Sequence, residues 1–371
     1  MHPLANAASR FVSIYQHDIL ILFELYSVRQ IGLPLSKPNH QLITISDNQR
    51  LIVNLLRELV LNPRINALRW SKLTKQTPNM KIGYPAQHLA SLIAGVEGVR
   101  TGARGDDLAD GTEIKSCSRV DQLDNCRDCK QKLLRIEQAC PHCGSTNINR
   151  MNDSKWLFAI KSQEELDLLT SRIDRVLLMI ADYPLYDEGD FESIRFQAFE
   201  IWNNEERHKN FRTLMSNYYH KIFLEHIKKN PNKTPAPKNF WPYSYQFYLC
   251  NPLKVFEANV TDANNNPTIE VSCYVEPNTD RSQLRSEDMP STLLNVEELQ
   301  VLADHANTDV VAPLLANGFS FEDFRQLTSE DKVKKPDLIK ILPFLDQEAR
   351  SVLPLRDTDK IATEKVKYRR R

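Results

Sequence analysis

Two cysteine pairs set the tightest constraint on how this chain folds. Cys126-x-x-Cys129 is followed, after ten residues, by Cys140-Pro-His-Cys143-Gly144. Each pair can turn two sulfurs toward one tetrahedral ion, and Gly144 suits a tight knuckle whose amides approach the sulfurs. Disulfides, a redox pair and an iron-sulfur cluster use the same residue type. With no secretion signal and no thioredoxin-like setting in the sequence, the expectation is a structural Zn²⁺ held by Cys126, Cys129, Cys140 and Cys143, with every coordination position filled by protein. His142 is expected on the knuckle surface. Residues 117–150 would then form an insertion that leaves a larger fold and rejoins it.

Just ahead of the cysteines lies a cluster of acids and a lysine. Gly111-Thr112-Glu113-Ile114-Lys115-Ser116 alternates after an Asp-Gly step, which predicts a short strand. Residues two apart on a strand share a face, so Glu113 and Lys115 point one way and Ile114 points into the core. Gly105-Asp106-Asp107-Leu108 is expected on an antiparallel partner strand, with residues 109–111 as the turn. Of the two adjacent acids only one can face Glu113. Asp107 is the preferred choice over Asp106, with Asp110 a weaker third. Two carboxylates are the usual protein contribution to a Mg²⁺ site, and a neighbouring lysine can orient water and offset anionic charge. Five of the ten glycines, at 95, 98, 102, 105 and 111, fall in this window. Residues 86–96 read as an amphipathic helix, which gives the order helix, strand, strand. Gln87, Glu97 and Gln122 lie close enough in sequence to support the site.

GARGDDLADGTEIKSCSRVDQ, the paired cysteines and the SKWLFAIKS that follows resemble a type II restriction endonuclease of the PD-(D/E)xK superfamily, nearest to the MamI-like family. The likeness covers residues 81–162, and the proline that often precedes the first acid is missing. The resemblance implies Asp107, Glu113 and Lys115 as the catalytic set, with Asp107 and Glu113 holding Mg²⁺. It also implies cleavage of double-stranded DNA that leaves 5′-phosphates, carried out by a homodimer. Two other readings stay open: a repair or mobile-element nuclease with the same site, and a non-catalytic zinc-ribbon protein that binds DNA.

The rest of the chain supplies the frame. With 371 residues, 41% hydrophobic and 26% charged, it can bury a large core. Its formal charge is zero, so any nucleic-acid face must be local. The apolar patch at residues 19–23 is too short to span a bilayer and is flanked by Asp18 and Glu24, so a core helix of a cytoplasmic protein with no membrane role is expected. A helix is predicted over 46–62, capped by Ser46 or Asp47, with Leu51, Leu55 and Leu59 as its stripe. Residues 156–160 suit a buried strand that returns the chain to the sheet. Residues 164–180 read as one amphipathic helix, and 193–202 alternate like a strand.

Residues 205–230 read as a long helix. From Glu205 to Lys238 eight basic residues meet three acids, which makes this stretch the leading candidate for tracking a DNA backbone. Its histidines, 208, 220 and 226, are expected on the surface or in packing. Residues 241–260 and 268–275 read as a hairpin across which Cys250 and Cys273 can face each other as free thiols. Short helices follow from 295 to 348, and the chain ends in the basic KVKYRRR. The expected architecture is α/β (α+β): a mixed central sheet flanked by helices, with a four-cysteine zinc knuckle inserted and helical additions. It divides into an N-terminal helical region (1–80), a catalytic core (81–275) and a C-terminal helical region with a basic tail (276–371).

Overall fold

The computed structural model describes residues 38–76, 78, 82–99, 107–120, 122–305, 311–320, 322–323 and 341–356. The apolar patch at 19–23, Gly102, Gly105, Asp106 and the basic tail lie outside these residues.

Helix α1 (Asn48–Leu55) continues through a wide π turn at Leu56–Leu61 into α2 (Asn62–Thr74). The buried stripe is not Leu51, Leu55 and Leu59 but the neighbouring Ile52, Leu56 and Leu61. The π turn takes in an extra residue, which rotates the helix surface and leaves Leu59 exposed. Neither expected cap is used, because Asp47 makes no side-chain bond to the helix amides. Helix α3 (Gly83–Ala94) ends at Gly95, whose φ of 69° is open to glycine at little cost, and a Cβ there would lie 2.9 Å from Pro277.

The strands in chain order are β1 (Thr112–Ser118), β2 (Asp124–Cys126), β3 (Lys132–Leu133), β4 (Ile148–Asn149), β5 (Trp156–Phe158), β6 (Arg175–Asp182), β7 (Ile194–Trp202), β8 (Lys238–Phe240), β9 (Leu253–Thr261) and β10 (Thr268–Tyr274). Five of them form a mixed sheet in the order β1-β6-β7-β9-β10. β1 runs parallel to β6, with Glu113 opposite Val176 and Lys115 opposite Leu178, and the remaining pairs are antiparallel. A parallel pair needs a long crossover. Here the crossover contains the cysteine knuckle, β5 and the short helix α4 (Gln163–Asp167).

The predicted helix over 164–180 is a correction. The chain leaves α4 through a π turn at Leu168–Arg172, Ile173 adopts extended backbone, and Arg175–Asp182 becomes the strand β6. All eight residues of β6 are buried. Val176 to Ala181 is an unbroken apolar run, and a strand covered on both faces can bury all of it where a helix would bury one side.

The two faces carry separate cores. Leu177, Met179, Ala198 and Val255 meet α1, the π turn and α3 on one side. Val176, Leu178, Ile180, Phe199 and Ile201 meet Phe158, Phe211, Phe240 and Phe247 on the other. Each fully buried phenylalanine is worth about 1.5–3 kcal/mol relative to leaving it in water.

Three further expectations need correcting. β5 does not join the central sheet but pairs with β8 in a separate ribbon over one face, anchored by the Trp156 indole donating to the Met179 carbonyl at 2.8 Å. Residues 241–260 are not continuous strand: Ser244 accepts from the Phe247 amide and starts the helix Tyr245–Leu249. Cys250 ends that helix, buried in the aromatic core, whereas Cys273 lies on β10 opposite Glu257, so the two thiols do not face each other. The expected short helices near the C-terminus include Val296–His305, where Asn295 and Glu298 bond each other's amides as a capping box. No helix among the described residues is long and apolar enough to cross a membrane.

Candidate metal and phosphodiester site

The knuckle folds as the small sheet β3-β2-β4 with both cysteine pairs at its tip. All four sulfurs lie within 4.8 Å of one another, with Cys126 to Cys143 at 3.6 Å and Cys129 to Cys140 at 3.5 Å. Tetrahedral zinc with bonds of about 2.3 Å places its sulfurs roughly 3.8 Å apart, so the spacing fits the ion. The Cys129 amide, first among several hydrogen bonds, holds the Cys126 thiol down at about 7. Cys129 goes the other way, to about 12: the Gln131 amide lowers it, but burial and the surrounding thiols outweigh that pull. Four thiols this close cannot all ionise without a cation among them. His142 is exposed, as expected.

At the knuckle's base Asp124 is fully buried and takes Arg150 at 2.9 Å, Arg135 at 3.1 Å and the Met151 amide at 2.7 Å. Arg135 packs against the rings of Tyr183, Tyr186 and Phe191. The insertion is thereby bolted to the end of β6. Its partners are too far apart in sequence for any spacing rule to reveal the arrangement.

On β1, Glu113 and Lys115 share a face, as the alternation predicts. Their side chains are 13% and 25% exposed, and the two form an ion pair. The Lys115 ammonium lies 5.8 Å from the centre of the Phe158 ring. Asp107 reaches the strand from its free edge, where its Oδ2 accepts from the Ile114 amide at 2.7 Å. The acid is thus pinned to the residue between Glu113 and Lys115. The expected hairpin geometry is different in detail: Leu108 bridges Gly98, while the amides of Asp107 and Leu108 both donate to the Thr112 carbonyl in a tight turn closed by Gly111 at φ 79°. Among the described residues, Oδ1 of Asp107 and Oε2 of Glu113 accept no hydrogen bond, which leaves hard oxygen donors for a small divalent cation.

Asp110 is not available to a metal. It accepts from the Thr112 amide and hydroxyl and pairs with buried Arg175 at 2.6 Å. Arg175 also reaches Glu200 at 2.8 Å, and Glu200 in turn takes Arg281 at 3.1 Å and the Trp202 indole at 2.8 Å. This buried chain of charges fixes the turn that precedes Glu113. Gln122 bonds both backbone groups of Asp153 and closes the neck of the knuckle. Gln87 is exposed on α3, which packs on the opposite face of the sheet, and Glu97 is exposed with its carbonyl bonded to the Ala109 amide.

The stretch expected to track DNA is partly absorbed into the fold. It forms α5 (Lys209–Asn217), a π turn and α6 (Leu224–Lys229), and Phe211, Leu214, Met215, Tyr219 and Phe223 are core residues. Arg207 pairs with Glu205, Arg212 donates to the carbonyls of Asn203 and Glu205, and Lys238 is buried against Gln246, so none of the three is a free phosphate contact. His208 is a packing residue, held at about 3 by burial while its Nδ1 meets the Cys250 carbonyl at 2.9 Å. Lys221, Lys228 and Lys229 remain exposed.

Comparison with known proteins gives a consistent picture. The profile of the family described as MamI restriction endonuclease matches residues 69–292, more than half of the chain. A stretch of 85 residues is 34% identical to the type II restriction enzyme MamI of Microbacterium ammoniaphilum, covering 23% of this chain and 28% of that enzyme. The match therefore spans well under two thirds of the relative's length. No solved structure matches.

Proposed function

The chain belongs to the MamI restriction endonuclease family, and on that premise we propose that it is a type II restriction endonuclease. It hydrolyses double-stranded DNA at a specific sequence, uses Mg²⁺ and leaves 5′-phosphates, acting as a homodimer in the cytoplasm. Residues 81–275 are the catalytic unit, between flanking helical regions at 1–80 and 276–371. The observation that carries the reading is Asp107 anchored on the amide between Glu113 and Lys115.

In this reading Asp107 and Glu113 would hold Mg²⁺. When bound, the ion would acidify water and offset charge on the phosphate. Lys115, seated beside Phe158 and next to Glu113, orients the attacking water and balances negative charge that builds on the phosphoryl oxygens. Water forms the new bond to phosphorus, and the bond to the 3′ oxygen breaks. Asp110, Thr112 and the buried Arg175 hold the strand that presents these groups. Zn²⁺ in the four-thiolate knuckle has a structural role.

The test is to incubate the purified protein with plasmid and Mg²⁺ and sequence the fragment ends. Discrete bands sharing one terminal sequence and 5′-phosphates are expected. Random or structure-directed nicking would favour a repair or mobile-element nuclease. Binding that needs zinc, with no cleavage at any Mg²⁺ concentration, would overturn the catalytic reading in favour of a zinc-ribbon DNA-binding protein.

A further inference from the structure

Arg119 stands apart among the described arginines. Each of the other buried or half-buried ones donates through its guanidinium to a carboxylate, a carbonyl or a side-chain oxygen, as Arg135, Arg175, Arg195 and Arg281 do. Arg119 has no such partner among the described residues, and its Nε is buried without one. Its guanidinium lies 5.4 Å from the centre of the Tyr243 ring instead. Lys155 repeats the arrangement. It forms no ion pair among the described residues, and its ammonium lies 4.6 Å from the centre of the Trp241 ring.

These two cations come from opposite ends of the knuckle insertion and meet one turn, Trp241-Pro242-Tyr243. The turn holds Tyr243 in left-handed backbone at φ 55°, a conformation a side chain disfavours and the surroundings must impose. The Tyr243 hydroxyl is fixed by donating to Gln197. Asp182, the carboxylate on the same face of β6, is occupied by Arg195 at 2.9 and 3.1 Å. An aromatic ring holds a cation in place without cancelling its charge, whereas a carboxylate neutralises it. Two cations seated on rings are therefore positioned and still available to an anion.

Arg119 also extends the catalytic face. Its amide bonds the Ala181 carbonyl and continues the β1–β6 ladder, so Glu113, Lys115 and Arg119 alternate onto one side of the strand. Four residues of strand separate Lys115 from Arg119 by about 13 Å, and a polyanionic backbone lying in the site passes both. We propose that Arg119 and Lys155, seated on Tyr243 and Trp241, form a phosphate-binding ledge that positions the DNA backbone beside the Glu113–Lys115 site. The proposal rests on the nuclease reading above.

The experiment measures the affinity of the zinc-loaded protein for a duplex oligonucleotide against salt concentration, without Mg²⁺, for the wild type and for the double variant Arg119→Met, Lys155→Met. Methionine keeps the packing on the rings and removes the charges. Each lost phosphate contact lowers the slope of log K against log salt by about 0.9, so the double variant should lose about 1.8. Raising salt from about 50 to 200 mM would then weaken the wild type roughly tenfold more than the variant. Arg119→Lys should keep the wild-type slope, and all variants should melt with the wild type. An unchanged slope, or weaker binding with the same slope, overturns the ledge. If the wild type cuts DNA specifically while the variant's slope is unchanged, only the ledge fails. If the wild type neither cuts nor binds duplex, the nuclease reading and the ledge fall together.

Discussion

Replacing Glu200 with glutamine tests how the buried charges hold β1. In the wild type Glu200 accepts from Arg175 at 2.8 Å, from Arg281 at 3.1 and 3.3 Å and from the Trp202 indole at 2.8 Å, and all of these groups are buried. The isosteric amide keeps the volume but leaves Arg175 with Asp110 alone and takes from Arg281 its carboxylate partner. Removing one partner of such a network costs about 3–5 kcal/mol. At pH 7 the unfolding free energy from urea titration should fall by that amount with an unchanged slope, and the melting temperature by on the order of 10 °C.

The pH dependence gives an independent check. Burial pushes the Glu200 carboxyl up, but Arg281 and Arg175 more than reverse this and hold it at about 2, against an ordinary 4.5. A folded value below the unfolded one means the contribution is complete above pH 4.5 and is lost as pH falls toward 2. That shift corresponds to about 3 kcal/mol. The variant has no titrating group at this position, so the gap between wild type and Glu200→Gln should narrow by about 3 kcal/mol between pH 5 and pH 2. A gap under about 1 kcal/mol at pH 7, or one that is constant with pH, would refute the view that these charges brace the strand.

Other outcomes follow from the same geometry. Lys115→Ala should bind duplex as the wild type does and lose at least about a hundredfold in cleavage rate, read in single-turnover assays; undiminished cutting would remove Lys115 from the mechanism. Metal analysis should find one zinc per chain, and Cys129→Ser should lose the ion and lower the melting temperature, whereas retention of zinc in that variant would count against the four-thiolate site. His208, held at about 3 by burial against an ordinary 6.5, stabilises fully above pH 6.5 and loses that contribution as pH falls. Stability should drop by roughly 2 kcal/mol between pH 6.5 and 5 on this account, and His208→Gln should flatten that segment of the curve.

What the residues disclose on inspection is what depends on near neighbours. The two cysteine pairs and the Glu113-x-Lys115 alternation are short-range patterns, and both appear in the structure as read. β6 was obscured because Leu166, Leu169, Ile173, Val176 and Ile180 satisfy helical spacing while Val176 to Ala181 also suits a fully covered strand. Only the helices on both faces of the sheet decide between them. The Arg281–Glu200 and Arg150–Asp124 pairs join residues 81 and 26 positions apart, beyond any local rule. The basic count over 205–238 misled for a related reason: charge is a sum over sequence, whereas availability depends on which carbonyls and carboxylates the fold brings to each cation.

The placement of Asp107 at the open margin of the sheet has one more consequence. Its carboxylate satisfies a main-chain donor on a border strand, the kind of donor through which chains stick to one another. An alanine at 107 would uncover that donor and leave the variant prone to self-association. Asparagine keeps an acceptor oxygen for that amide, so it is the substitution at 107 that leaves the border strand covered.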